Sequence, residues 1–373
     1  MAVPVAILAP VPVPYREPLF RALAERGRIE PRVIYLSGGQ PGWDQRPEWF
    51  AGPGGYRSEV LGAWQRARPG RTPVMLARGI GAALGRAAPD CVVSWEYGPA
   101  TWRALAWSRR RHRPLVVFSE LTPWSDPELS PLQRRIHRAI APRASGFVVA
   151  SSQGVARLER LGVDPRRVEV SLQSADLRPL LALERRDRAD GPVRVLTVGR
   201  LVPDKNLAML LEAFAEAGFA RDEAELVVCG SGPLEAELRG LAERLGVPAT
   251  FSGFAAPAEL PGMYASADLL VLVSTYEPFG VTMREGAAAG LPLLCSRRAG
   301  AAGDVAVEGE NALLVDPTRR VEITGTLRRL VRDRRLRERL AAGSRAVTAR
   351  HPLENDAEAW ERAVLRAKRR APV

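Results

Sequence analysis

Apolar and polar positions alternate between two periods along this chain. Uninterrupted apolar runs at Val3–Ala9, Arg32–Leu36, Cys91–Trp95, Leu115–Ser119, Gly146–Ala150 and Val168–Ser171 read as strands. Between them lie helical patterns at Pro18–Arg26, Pro73–Ala87, Pro99–Arg110 and Pro131–Ile140, each opening on proline, whose missing N–H costs nothing in a first turn. Strands that are apolar on both faces and separated by helices predict a parallel sheet covered on both sides. The interval from about Ser37 to Ala67 is rich in Gly, Pro and Trp, shows no clean period, and reads as a long loop.

Residues 174–191 turn polar and charged, and Gly191-Pro192 then leads into a fresh strand at Val193–Val198. The boundary is placed there, giving domains at 1–185 and 186–354, with a terminal helix at about 355–373 expected to pack back on the first. The second half repeats the alternation. A helix at Leu207–Ala217 carries Leu207, Leu210, Leu211 and Phe214 at helical spacing, and one at Leu234–Leu245 carries Leu234, Leu238, Leu241 and Leu245. Strands are read at Leu226–Cys229, Leu269–Ser274 and Leu293–Cys295, with an alanine-rich helix before the last that Gly290 stops. The tail after Val321 is helical and arginine-rich, with Trp360 expected to anchor its last helix across the domain junction.

At 373 residues the chain exceeds one comfortable core, which agrees with two α/β domains. Cys91, Cys229 and Cys295 are unclustered and fall in apolar runs, which argues against a disulfide framework or zinc site and suits a reducing compartment. No segment approaches the roughly 18–20 apolar residues of a membrane span. The apolar run Val3–Val13 lacks a leading positive charge and is broken by Pro10 and Pro12, so it reads as a first strand, not a signal peptide. The expected location is the cytoplasm, with peripheral attachment to the inner face of an anionic membrane left open. The net charge of +12 favours anionic partners, or reflects an arginine-rich composition alone. The basic run Arg109–Arg113 is open to both readings: a solvated helix end, or contact with anionic lipid or an anionic acceptor.

In open parallel sheets ligands bind beyond the carboxyl ends of the strands, which yields a short set of candidates. In the second half these are Gly199–Asn206, Gly230–Leu234, Ser252–Phe254 and Thr275–Gly280; in the first, Pro10–Tyr15, Glu96–Gly98 and Glu120–Trp124. Arg200 and Lys205 aimed at one spot would suit a pyrophosphate, although such a pair in a βα loop is also ordinary solvated surface. Gly230-Ser231-Gly232-Pro233 is a tight strand-to-helix turn that brings backbone close to a ligand. Glu277 on a loop and Glu285 inside the following helix put two acids near a helix N-terminus, where unpaired N–H groups favour anions. The three histidines, His112, His137 and His351, read as surface residues. Seven tryptophans (Trp43, Trp49, Trp64, Trp95, Trp102, Trp107 and Trp124) crowd the first half as sugar platforms, lipid anchors or core. With no D-x-D, H-E-x-x-H, G-x-S-x-G or P-loop, no metal or cofactor is expected.

Taken together, these pieces resemble glycosyltransferase family 4, retaining enzymes of the GT-B architecture. The matching segments run in family order: GRLVPDKN (199–206), GSGP (230–233), FSGF (251–254), EPFGVTMRE (277–285) with its E-x7-E spacing, and ENALLVDP (310–317). The resemblance is specific across about 193–317. It implies an α/β fold of two Rossmann-like domains facing across a cleft. It further implies transfer of a sugar, with retention, from a nucleotide-diphosphate sugar to an acceptor. By the resemblance, Arg200 and Lys205 hold the diphosphate, Glu277 meets sugar hydroxyls, and Glu285 meets the ribose. Amides at Phe279–Gly280 serve the sugar or phosphate, and Phe254 covers the base. Gly199, Gly230, Gly232, Pro233 and Pro278 complete the donor set.

The first half departs from the family pattern. Pro10, Pro12 and Pro14 with Tyr15 stand in place of a glycine-rich loop, and Glu120 stands where many members carry histidine. Tyr15, Glu96 and Trp124 are taken as acceptor contacts. Glu120 joins Glu277, Arg200 and Lys205 in the catalytic set, while a salt-bridged or capping loop glutamate remains the alternative for it. Two other functions are weighed: a nucleotide-sugar epimerase, which product analysis separates from a transferase, and a basic nucleic-acid binder. The chain lacks a recognition motif for the latter, and no nucleic acid is expected as a partner.

Overall fold

The computed structural model describes residues 2–39, 54–68, 71–183 and 191–370. Trp43 and Trp49 lie outside them. The chain divides into two compact units, one of Met1–Ala175 with Pro352–Val373 and one of Asp176–His351. The division falls at the start of the polar stretch 174–191, ahead of the boundary read at 185/186.

In the first unit the elements run β1 (Val3–Ala9), α1 (Glu17–Arg26), β2 (Ile29–Tyr35), β3 (Arg57–Val60), β4 (Ala63–Arg68), β5 (Arg71–Ala77), α2 (Ile80–Ala87), β6 (Cys91–Trp95), α3 (Pro99–Arg110), β7 (Leu115–Ser119), α4 (Pro131–Ile140), β8 (Gly146–Val149), α5 (Ser152–Arg160) and β9 (Val168–Val170). Seven strands form a parallel sheet in the order β3-β2-β1-β6-β7-β8-β9.

Two expectations fail here. The supposed loop 37–67 contains β3, which edges the main sheet, and β4. The helix expected at Pro73–Ala87 is instead β5, antiparallel to β4, followed by the shorter α2. The local pattern explains the error: Met75 and Ala77 are buried while Leu76 between them is exposed, a period of two. Gly79 then takes a left-handed φ of 77°, so the helix cannot begin before it.

The second unit runs α6 (Arg178–Leu181), β10 (Val193–Val198), α7 (Leu207–Ala217), β11 (Ala224–Cys229), α8 (Glu235–Leu245), β12 (Ala249–Gly253), α9 (Leu260–Ala265), β13 (Leu269–Leu272), α10 (Val281–Ala288), β14 (Leu293–Ser296), β15 (Ala312–Val315), α11 (Arg320–Arg332) and α12 (Arg334–Ala349). Its sheet is parallel throughout, in the order β12-β11-β10-β13-β14-β15. This doubly wound order, like that of the first unit, identifies a Rossmann-like layer with helices on both faces. Helix α7 buries Leu207, Leu210, Leu211 and Phe214, as its spacing predicts, whereas Leu245 at the end of α8 is exposed. The three cysteines are buried and free, in β6, β11 and β14.

The last helix, α13 (Leu353–Arg370), belongs to the first unit. Trp360 is fully buried there, stacked on Phe118 at 5.3 Å and beside Trp95 and Phe20. Helix α13 also carries the buried Glu361, which accepts from Arg26 Nε, at the end of α1, at 3.1 Å and lies 3.6 Å from Arg28, just ahead of β2. A buried carboxylate held by two guanidinium groups is destabilising to break, because the survivor is left unpaired.

Candidate functional site

In the second unit the strand order reverses between β10 and β13, and the loops leaving their carboxyl ends diverge there. The loop after β10 packs directly on the turn after β11. Leu201 N donates to Ser231 O at 2.9 Å, and Leu234 N donates to Leu201 O at 3.2 Å. Two glycines permit that approach. A Cβ at Gly230 would fall 1.8 Å from Gly199 O, and one at Gly232 would fall 2.5 Å from Leu201 O. GRL and GSGP are thus one glycine-lined floor, with α8 starting at Glu235, two residues beyond Pro233.

Asn206, in the left-handed region at φ 57°, ties this floor to the next strand ends. Its Nδ2 donates to Val273 O at 3.2 Å and Pro317 O at 2.8 Å, and Thr275 N donates to Asp204 O at 2.9 Å. Lys205 therefore arrives beside the loop after β13, where its ammonium pairs with Glu277 Oε2. Ser274 Oγ donates to the same oxygen at 3.5 Å. The side chains of Lys205 and Glu277 are only 19% and 12% exposed. The Glu277 loop is pinned from behind: Gly300 N donates to Glu277 O at 3.1 Å and Ala301 N to Phe279 O at 2.8 Å. Gly280 enters α10 with φ 97°, and Phe279 buries its ring.

Glu285 finds a different partner from Glu277. It accepts from Tyr264 Oη at 2.6 Å through Oε2, while among the described residues Oε1 has no partner. Burial raises the Glu285 pKa above the usual carboxylate range, and the Tyr264 hydrogen bond opposes that shift. Arg200 is exposed at the rim of a small cavity that Gly199, Leu201, Lys205 and Leu272 also line. Phe254 is half-buried just past β12.

The first unit gathers a second group at its own reversal point, between β1 and β6. Glu96, at φ 55°, accepts from Glu120 N at 2.6 Å and from Ser119 Oγ at 2.8 Å. Glu120 Oε1 in turn accepts from Arg16 Nη2 at 3.0 Å and Gln173 Nε2 at 3.3 Å. The Arg16 guanidinium stands over the Trp95 ring, 4.2 Å from its centroid, and 5.3 Å from that of Tyr15. Glu96 thus holds the backbone of Glu120 while Arg16 holds its side chain. Trp124 stands 44% exposed nearby in sequence.

Burial first, and the Glu120 charge second, push Glu96 up to about 7. A carboxyl whose pKa is higher folded than unfolded carries an extra proton when folded, so its contribution falls as pH rises from about 4.5 to about 7. The protein is expected to lose about 1–3 kcal/mol of stability between pH 5 and pH 8 through this group. Glu96→Gln should flatten that difference in thermal melts. An unchanged difference would clear Glu96 of it.

His137 corrects the surface reading of the histidines. It is buried, stacked on Tyr97 at 4.4 Å, and its Nδ1 accepts from Arg157 Nη2 at 2.8 Å. Burial, then the Arg157 charge, lowers its pKa to about 3, so it stays neutral at ordinary pH. Trp95 is core, while Trp64 and Trp102 are exposed. The sequence reading missed Tyr264, Ser274, Arg16, Gln173 and Gly300. Only Arg16, beside Tyr15 at a strand end, carried a usable signal. Among the described residues no group of three or more His, Cys, Asp or Glu could hold a metal ion, and no helix is long and apolar enough to cross a membrane.

Two family models match the chain. The model for the glycosyl transferase 4-like domain matches residues 12–171, and that for glycosyl transferases group 1 matches residues 183–347. The chain belongs to the group 1 glycosyltransferases. As a member, it is 29% identical to the alpha-D-kanosaminyltransferase of Streptomyces kanamyceticus over 53% of this chain and 50% of that protein. It is 27% identical to sulfoquinovosyl transferase SQD2 of Arabidopsis thaliana over 72% of this chain and 55% of that one. The chain therefore spans about half the length of these relatives. Among solved structures, Anabaena Alr3699/HepE in complex with UDP-glucose shares the fold, with a TM-score of 0.73, 20% identity, and coverage of 96% of this chain and 98% of that one.

Proposed function

We propose that the protein transfers a sugar, with retention, from a nucleotide-diphosphate sugar to an acceptor. The donor sits on the second unit, and the first unit supplies the acceptor contacts. One observation carries the reading: at the carboxyl edge of the second sheet Lys205 lies along the glycine floor and pairs with Glu277, and the helix that follows carries the Tyr264-held Glu285. Cations and close-packed amides suit a diphosphate, and half-buried carboxylates suit hydroxyls. In this reading Arg200 and Lys205 offset the charge that grows on the leaving diphosphate, so no metal is required. Glu285 accepts from ribose hydroxyls through Oε1, Glu277 orients the sugar, and Phe254 flanks the base. In the first unit, Glu120 presents its carboxylate to the acceptor hydroxyl, with Tyr15 and Trp124 at the rim and Glu96 holding the loop.

A thermal-shift panel of UDP-, GDP-, ADP- and dTDP-sugars tests the donor reading; the UDP-glucose complex of HepE makes UDP-sugars the first probes. One sugar nucleotide should raise the melting temperature, equally with and without a chelator. Arg200→Ala should weaken its diphosphate by about 1.5–3 kcal/mol, the scale of charged hydrogen bonds. Glu285→Gln, which can still accept from Tyr264, should weaken nucleotide binding without lowering stability. A fall in stability alone would remove Glu285 from the ribose.

A further inference from the structure

Within the donor site, Lys205 and Glu277 are bonded to each other. That arrangement has a cost for any ligand that needs the ammonium. Lys205 reaches its partner by lying along the glycine floor: a Cβ on Gly199 would sit 3.3 Å from Lys205 Cε and 3.7 Å from Nζ. The ammonium therefore stands between the floor, where an anion would rest, and the carboxylate. Glu277 is tethered beside it: Gly300 N donates to its backbone carbonyl, and Ser274 Oγ donates to the same Oε2. Its other oxygen, Oε1, has no partner among the described residues. An anion on the floor must compete with Glu277 for Lys205, and it also brings like charge toward a carboxylate that is mostly shielded from water.

We infer that the Lys205–Glu277 ion pair is a latch that makes the site discriminate between sugar-loaded and bare nucleoside diphosphate. This rests on the donor reading above. A bare diphosphate takes Lys205 and leaves Glu277 half-buried without its cation, which weakens binding. A sugar nucleotide supplies hydroxyls that donate to the released carboxylate and offset that loss. Glu277 is then a specificity-determining residue in two senses: it recognises the sugar, and it disfavours the product that has lost it. Release of the spent nucleotide is favoured by the same contact that positioned the donor.

The test is titration calorimetry on the full chain. The probes are whichever of UDP, GDP, ADP and dTDP the wild type binds most tightly, and the corresponding sugar nucleotide. Glu277→Gln should bind the bare diphosphate about tenfold tighter than wild type, because the competitor for Lys205 is gone. The affinity gained on adding the sugar should shrink by a similar factor. In a Lys205→Met background the same substitution should change diphosphate affinity by only about twofold. Glu277→Ala must give the same sign, so a folding defect in one variant does not decide the matter.

If Glu277→Gln binds the diphosphate equally or more weakly, the latch is wrong while the donor reading stands. Tightening of the same size without Lys205 also overturns it, since the effect would then be a general field. A wild type that binds none of the four diphosphates and none of their sugar nucleotides overturns the latch and the donor reading together.

Discussion

Trp360→Ala is expected to destabilise the first unit by about 3–5 kcal/mol, enough to unfold a marginal domain. Among the described residues the indole is the largest fully buried side chain. It touches Phe20 on α1, Trp95 at the end of β6 and Phe118 on β7, so its removal opens a cavity that three elements cannot jointly close. The effect should extend to the candidate acceptor group. Trp95 supports the Arg16 guanidinium, and Arg16 holds Glu120. Denaturant unfolding would show the loss, and Trp360→Phe should recover part of it. Removing residues 352–373 should be worse still, because Glu361 leaves with them and Arg26 and Arg28 lose their buried partner. If the truncated chain melts like the full one, the last helix contributes nothing to that core.

The second large effect is expected at Gly300. Its backbone adopts no unusual conformation, so the requirement for glycine is purely steric. A Cβ there would lie 2.1 Å from Pro278 O and 2.9 Å from Phe279 Cα, both backbone atoms of the loop that carries Glu277. Gly300→Ala should therefore cost about 3 kcal/mol or more and displace that loop, with loss of the sugar-nucleotide binding proposed above. Gly325 in α11 is the control, because nothing lies within 4 Å of its Cβ position. Alanine there should be neutral or stabilising by up to about 1 kcal/mol through helix propensity. Equal effects at the two positions would mean that the loop does not depend on the contact.

Much of the second unit was legible in the sequence because its signals are local. Apolar strands, the spacing of Leu207 to Phe214, and glycines at strand ends each depend on neighbours only a few residues away. The first unit was harder to read. At β5 the proline of Pro73 suggested a helix start, while the burial of alternate residues depended on a partner strand, β4, in a stretch with no period of its own. His137 was misread for a similar reason. Its position on a polar helix suggested solvent, yet Tyr97 and Arg157, distant in sequence, enclose it.

The sequence by itself determined two doubly wound α/β layers, the strand ends where chemistry gathers, and the residue types available there. These follow from periodicity and from the few residues able to make tight βα turns. Only the tertiary structure decided which of those residues meet. It joined Lys205 to Glu277 across 72 positions, gave Glu285 to Tyr264, and set Glu96 under Glu120. It also carried the last helix into the core of the first unit. Such pairings depend on strand order and on backbone approaches at Gly199, Gly230 and Gly300, and neither is encoded in the spacing along the chain.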